Sequence, residues 1–216
     1  MEYTKISFRV VSPLWDRLND ELNAMFISRD PFISNLLKME IPHLRKELSN
    51  KKNSIAAKRF ITKNLDAFSE QTNTPLKPVS IHLPKVLASE FRTLLKENNV
   101  PGNAIFNRIL LLVRHGSAIS KHFSIPNSLS EAENNLFFDT TTPSPLVRAS
   151  EFILDPMGFL RNWIELNEEI EGGLYTSTIK GKGLLAFSVY LEDKYVPGTP
   201  KYVSHETETH ELLNSL

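Results

Sequence analysis

The feature of this 216-residue chain that most restricts its fold is an internal echo. Displaced by 73 residues without a gap, Ile6-Ser7-Phe8-Arg9-Val10 falls on Val79-Ser80-Ile81-His82-Leu83. Both passages alternate apolar and polar residues, the period of a half-buried strand. Ile6, Phe8 and Val10 would share one face, as would Val79, Ile81 and Leu83, leaving Lys5, Ser7, Arg9, Ser80 and His82 on the other. The register holds downstream. Ser12-Pro13 marks a helix start, with a hydroxyl acceptor at the N-cap and a proline at the first helical position, where its missing N–H costs nothing. Leu14, Leu18 and Leu22 follow at helical spacing, and their counterparts are Leu87, Phe91 and Leu95. Short turns, Met25 to Ser28 and Asn98 to Asn103, then lead to a second helix in each passage. One is expected from about Arg29 to near Pro42 and the other from about Asn103 to Gly116, with Pro42 and Gly116 as terminators.

Each unit thus reads strand, helix, short turn, helix, and a lone strand needs a partner for its backbone hydrogen bonds. The residues Lys5-Ile6-Ser7-Phe8-Arg9-Val10 with Ile27-Ser28-Arg29, and Val79-Ser80-Ile81-His82-Leu83 with Val100-Pro101-Gly102-Asn103, resemble the ribbon-helix-helix DNA-binding family, the group containing Arc, MetJ and CopG. Two units in one chain look like the tandem, TraY-like form of the conjugation accessory proteins. The resemblance covers roughly half the chain. It implies an α+β fold in which two ribbon-helix-helix units form an intramolecular pseudo-dimer, a two-stranded antiparallel ribbon plus helices, whose ribbon enters the major groove of double-stranded DNA. The base-contacting residues it implies are Lys5, Ser7, Arg9, Ser80 and His82. Arg9 suits guanine O6 and N7, Lys5 the same acceptors or a phosphate, and the serines several base edges. Phosphates would meet the openings of the second helices, at Ser28 and Arg29 and at Gly102 and Asn103, where unpaired N–H groups and the helix dipole favour an anion. The chain departs from the family pattern at three places. Pro78 and Pro84 bracket the second strand and are expected to shorten its hydrogen-bonding run. Asp30 lies in the first turn of a helix that should greet a phosphate, and Pro101 replaces the small polar residue usual at that turn.

Between the units, His43 to Leu76 holds Lys51, Lys52, Lys58 and Arg59 among other cations, and Ile55, Phe60, Ile61, Leu65 and Phe68 recur at near-helical spacing. An extra helix is expected over Ser54 to Phe68, its basic face along the DNA backbone, followed by a loop from Ser69 to Pro78. Charge divides the chain. Residues 1–123 carry 19 Lys and Arg against 11 Asp and Glu, net +8, and residues 124–216 carry 6 against 14, net −8. We therefore expect a tandem DNA-binding domain over 1–123, with units about 3–42 and 77–116 and a helical basic linker 43–76. An acidic C-terminal α+β domain over 124–216 would serve oligomerisation or partner binding. Within it, Ser128-Leu129-Ser130-Glu131 is a capping-box pattern, and Asp155-Pro156 opens a helix carrying Phe159, Leu160, Trp163, Ile164 and Leu166. Leu174 to Ile179 and Leu184 to Leu191 alternate like the strands of a hairpin around Lys180-Gly181-Lys182-Gly183.

The absence of cysteine removes disulfide scaffolds, thiol nucleophiles and thiolate metal sites, and suits a reducing, cytoplasmic address. No run approaches the ~18 apolar residues of a membrane span, and Met1 to Val11 reads as a strand rather than a signal peptide. His205-Glu206-Thr207-Glu208-Thr209-His210 gathers metal-ligand types, but its histidines are five apart, not the four that align a zinc pair on a helix. No nucleophile, base and orienting acid assemble, so neither enzymatic activity nor a metal or other cofactor is expected. The functional expectation is a sequence-specific DNA-binding transcriptional regulator, self-associating through its C-terminal domain, with a transcription or conjugation protein as a further partner and no membrane. The alternatives are a conjugation or plasmid-maintenance accessory factor and an antitoxin-like protein-binding module.

Overall fold

A computed structural model describes residues 2–113, 155–166, 172–177 and 184–202. The fold is α+β, with one two-stranded antiparallel sheet and six helices among those residues. The order is β1 (Tyr3–Val11), α1 (Ser12–Ala24), α2 (Arg29–Leu48), α3 (Ile55–Gln71), β2 (Leu76–Pro84), α4 (Lys85–Glu97), α5 (Gly102–Val113) and α6 (Gly158–Leu166). Both strands, the helices that follow them directly and the starts of α2 and α5 are displaced by 73 residues. Strand β1 pairs with β2 so that Ile6 faces Ile81 and Ser7 faces Ser80, which puts the ribbon's local two-fold between the two serines.

Alternation decides which face is buried. Ile6, Phe8 and Val10 with Val79, Ile81 and Leu83 turn inward, and every one is at most 7% exposed. They lie on Leu18 and Leu22 of α1, Phe91 and Leu95 of α4, and the apolar sides of α2 and α5. Phe8 stacks on Phe106 at 4.3 Å between ring centroids and meets Phe91 edge-on at 6.4 Å. The turns joining the helices repeat as well. Ile27 N–H bonds to Leu22 O and Val100 N–H to Leu95 O, and Phe26 and Asn99 hold the same left-handed conformation at φ 57° and 52°.

Several sequence expectations need correction. Helix α2 runs through Pro42 to Leu48, because Ile41, Leu44 and Leu48 continue its buried stripe. Three buried aliphatic side chains at about 1.5–3 kcal/mol each outweigh the roughly 3 kcal/mol cost of an internal proline. Pro78 and Pro84 do not shorten β2. Arg9, opposite Pro78, turns its N–H outward to Asn103 Oδ1, so this pair and its odd-numbered neighbours are the non-hydrogen-bonded ones, where a proline sacrifices nothing. The expected loop from Ser69 to Pro78 is shorter, since α3 extends to Gln71 and β2 starts at Leu76. Ser12 lies inside the first turn of α1, and its hydroxyl donates to Pro75 O instead of capping the helix.

The expected C-terminal hairpin is absent from the described residues. Leu174 to Thr176 form a turn, and Leu184–Phe187 a 3-10 turn, as does Asp193–Tyr195. Polar side chains of the first half take up the backbone that a strand partner would have used. Glu47 of α2 accepts from the N–H groups of Tyr175 and Thr176, and buried Arg108 of α5 donates to Leu174 O and Ser177 O. Asn53 donates to Val189 O and accepts from Leu191 N–H. Burial pushes the Glu47 carboxyl up and lowers the Arg108 guanidinium to about 10. Met157, Leu160, Leu174, Tyr175 and Val189 join the core beneath the ribbon, with Trp163 and Ile164 packed against it. The Ser128 capping box, Lys180 to Gly183 and the His205 to His210 cluster fall outside the described residues, as does Gly116.

Phe26 is almost wholly exposed and adopts a conformation that strains a residue bearing a bulky side chain. Phe26→Asn, which copies Asn99, should raise the unfolding free energy by about 1 kcal/mol in urea titrations. A destabilised variant would show that the phenyl ring makes a contribution the fold does not explain.

Candidate nucleic-acid interface

A two-stranded ribbon has two free edges and one free face. Residues Lys5, Ser7 and Arg9 of β1 and Ser80 and His82 of β2 come together on that outward face, as alternation requires. The two serine hydroxyls lie 3.1 Å apart at its centre. Arg9 and His82 occupy equivalent positions two residues beyond, separated by the 73-residue offset.

Both are paired with carboxylates. Arg9 Nη1 donates to Asp66 Oδ1 of α3 at 3.0 Å, with the Arg9 side chain 55% exposed. His82 Nδ1 lies 3.2 Å from Asp30 Oδ2, which also accepts from the His82 backbone N–H at 3.0 Å. The other oxygen of Asp30 accepts from Arg29 Nε at 2.7 Å, and the Arg29 guanidinium lies over the Trp15 ring. Burial works against the charge on Asp30, but hydrogen bonds from the His82 N–H, from Arg29 and from the His82 ring outweigh it and hold this carboxyl below its ordinary value.

The ribbon's edges are closed by side chains rather than by further strands. On the β1 side, Asn103 Oδ1 accepts from Arg9 N–H at 3.0 Å. Asn107 accepts from Val11 N–H at 2.8 Å and donates to Arg9 O at 2.9 Å. Arg92 of α4 donates to Lys5 O. On the β2 side the corresponding acceptor is Asp30, the residue that precedes Asn103 by 73.

Of the residues expected to contact phosphate, the structure brings three together. Lys58 of α3 and Gly102 and Asn103 of α5 line one cleft of about 410 Å³ beside β1, with Ser7, Thr62 and Arg92. Two cations and the opening of a helix thus face the same space. Ser28 and Arg29 sit at the start of α2, where Asp30 and Trp15 already engage Arg29. Lys51 and Lys52 lie on the α2–α3 connection and Arg59 on an exposed part of α3, none of them lining the cleft. Lys51 stands 5.6 Å from the Tyr190 ring.

Asp66, Arg92, Asn107 and the double role of Asp30 were not read from the sequence. The asparagines left a trace, since Asn103 and Asn107 are four apart on one helix face. The carboxylates did not, because their partners lie 57 and 52 residues away. Among the described residues no group of metal-ligating side chains forms, and no helix is long and apolar enough to cross a membrane. No family model, curated protein or solved structure matches this chain.

A carboxylate whose pKa is depressed on folding stabilises the native state above its unfolded pKa, and that contribution is lost as pH falls through the folded value. Asp30→Asn should therefore lower the denaturation midpoint at pH 7, and the difference should shrink as the pH drops below about 4. A constant difference between pH 7 and pH 3 would show that Asp30 acts by packing alone.

Proposed function

We propose that this chain is a sequence-specific double-stranded DNA-binding protein, a transcriptional regulator that lays its β1–β2 ribbon in the major groove. In this reading the segments β1–α1–α2 and β2–α4–α5 are tandem ribbon-helix-helix units closed on each other within one chain. The observation that carries the reading is the ribbon's outward face. It is narrow, polar and flanked by cations, while its opposite face is sealed by four helices of the same displaced pattern. A two-stranded ribbon of this kind fits the width of the major groove, and its alternate side chains reach base edges.

Roles divide by position. Lys5, Ser7, Arg9, Ser80 and His82 read bases, whereas Lys58, Arg92 and the opening of α5 hold a phosphate and set the register. The basic charge of residues 1–123 steers the chain to DNA, and the acidic charge of the remainder keeps that part off the backbone.

Selection from a randomised duplex pool by the full chain tests the proposal. It should enrich one motif, and Arg9→Ala should weaken binding to that motif by about 1–3 kcal/mol and relax one base position. Lys58→Ala should weaken selected and random duplexes alike and reduce the salt dependence by about one ion. Equal losses on both duplexes for Arg9→Ala would count against base reading. A footprint at the protein's own promoter favours regulation, one at a transfer origin the accessory role, and co-purification with a small basic protein without DNA binding the antitoxin-like module.

A further inference from the structure

The ribbon is symmetric in its backbone and asymmetric in its hydrogen-bonding chemistry. Around the central serines, β1 presents Lys5 and Arg9, both donors only, where β2 presents Pro78 and His82. The decisive residue is Asp30. Its carboxylate receives hydrogen bonds from Arg29 and from the His82 backbone and has no proton to give. The ring nitrogen facing it, His82 Nδ1, must therefore be the one that carries hydrogen. In the neutral imidazole this leaves Nε2, on the other edge of the ring, as a bare acceptor. Arg9 differs, because Asp66 engages only Nη1 and leaves the donors of Nε and Nη2.

Resting on the DNA-binding reading above, we propose that the ribbon recognises an asymmetric site: Arg9 reads a guanine in one half, and His82, its tautomer fixed by Asp30 so that the neutral ring presents Nε2 as an acceptor, reads an exocyclic amino group in the other. In the major groove guanine offers acceptors at O6 and N7, while the amino donors are adenine N6 and cytosine N4. Two strands of one ribbon thus ask for different bases at equivalent positions. Asp30 is a positioning residue in this scheme and touches no base.

The test is binding-site selection with the full-length chain, its Arg9→Ala variant locating the position that Arg9 reads. The native chain should select guanine there and adenine or cytosine at the equivalent position across the site's centre. If adenine is selected, replacing it by purine, which lacks the amino group, should weaken binding about threefold to tenfold. His82→Arg should convert that second position to guanine. Asp30→Ala should lose its preference while keeping guanine at the Arg9 position, which also reports that the ribbon is intact. Guanine in both halves for the native chain, indifference among the four bases at the second position, or an unchanged preference in Asp30→Ala would each overturn the inference. Enrichment of no sequence at all would instead remove the DNA-reading proposal on which it rests.

Discussion

Two strands alone cannot satisfy their own backbone, and much of this structure follows from how the deficit is met. An antiparallel pair bonds at alternate residues, so half of each strand's N–H and C=O groups point outward with no third strand to receive them. Here Asn103 and Asp30 in the first turns of the second helices, and Asn107 one turn further along α5, receive N–H groups from the edges, and Arg92 and Asn107 supply donors to their carbonyls. The helices are thereby tied to the ribbon at its rims as well as beneath its apolar face. Pro78 and Pro84 belong to the same pattern, placed where no inward donor is required.

Among the described residues, closing the edges with helix-borne side chains leaves the ribbon one uncovered face, and its electrostatics are restrained. The Arg9 guanidinium stands against the Asp66 carboxylate, which balances part of its charge, and the His82 ring is held by hydrogen bonding to Asp30, so directional groups are displayed without a strong excess of positive charge. Lys58, which pairs with no carboxylate among the described residues, lies to the side, in the cleft that opens on α5. Long-range attraction to a polyanion and short-range discrimination among bases depend on different groups. The proposed division between anchoring and reading follows that separation.

The ribbon was legible in the sequence because its information is local and duplicated. A two-residue period, an apolar helical stripe and a turn recur at one offset, and the buried face and the five outward polar residues follow from them. What escaped depends on tertiary geometry. Alternation tells which side of the ribbon a residue faces but not which residues bond inward, so the harmless placement of the prolines could not be read. Pro42 failed as a terminator because the buried stripe beyond it outweighs a local penalty. The hairpin failed for a related reason: residues 174–191 alternate like strands, yet Glu47, Arg108 and Asn53 capture the backbone of the described part from helices and loops more than 60 residues away. The pairings of Asp66 and Asp30 are equally non-local.

On the proposed function, the outward face of the ribbon lies in the major groove. Dimethyl sulfate methylates guanine N7, an atom exposed only in that groove, and interference by this modification on a selected duplex tests that placement directly. Methylated guanines should block binding of the native chain within one short major-groove stretch, and one of these signals should disappear for Arg9→Ala. Binding that tolerates N7 methylation throughout the site would contradict that placement.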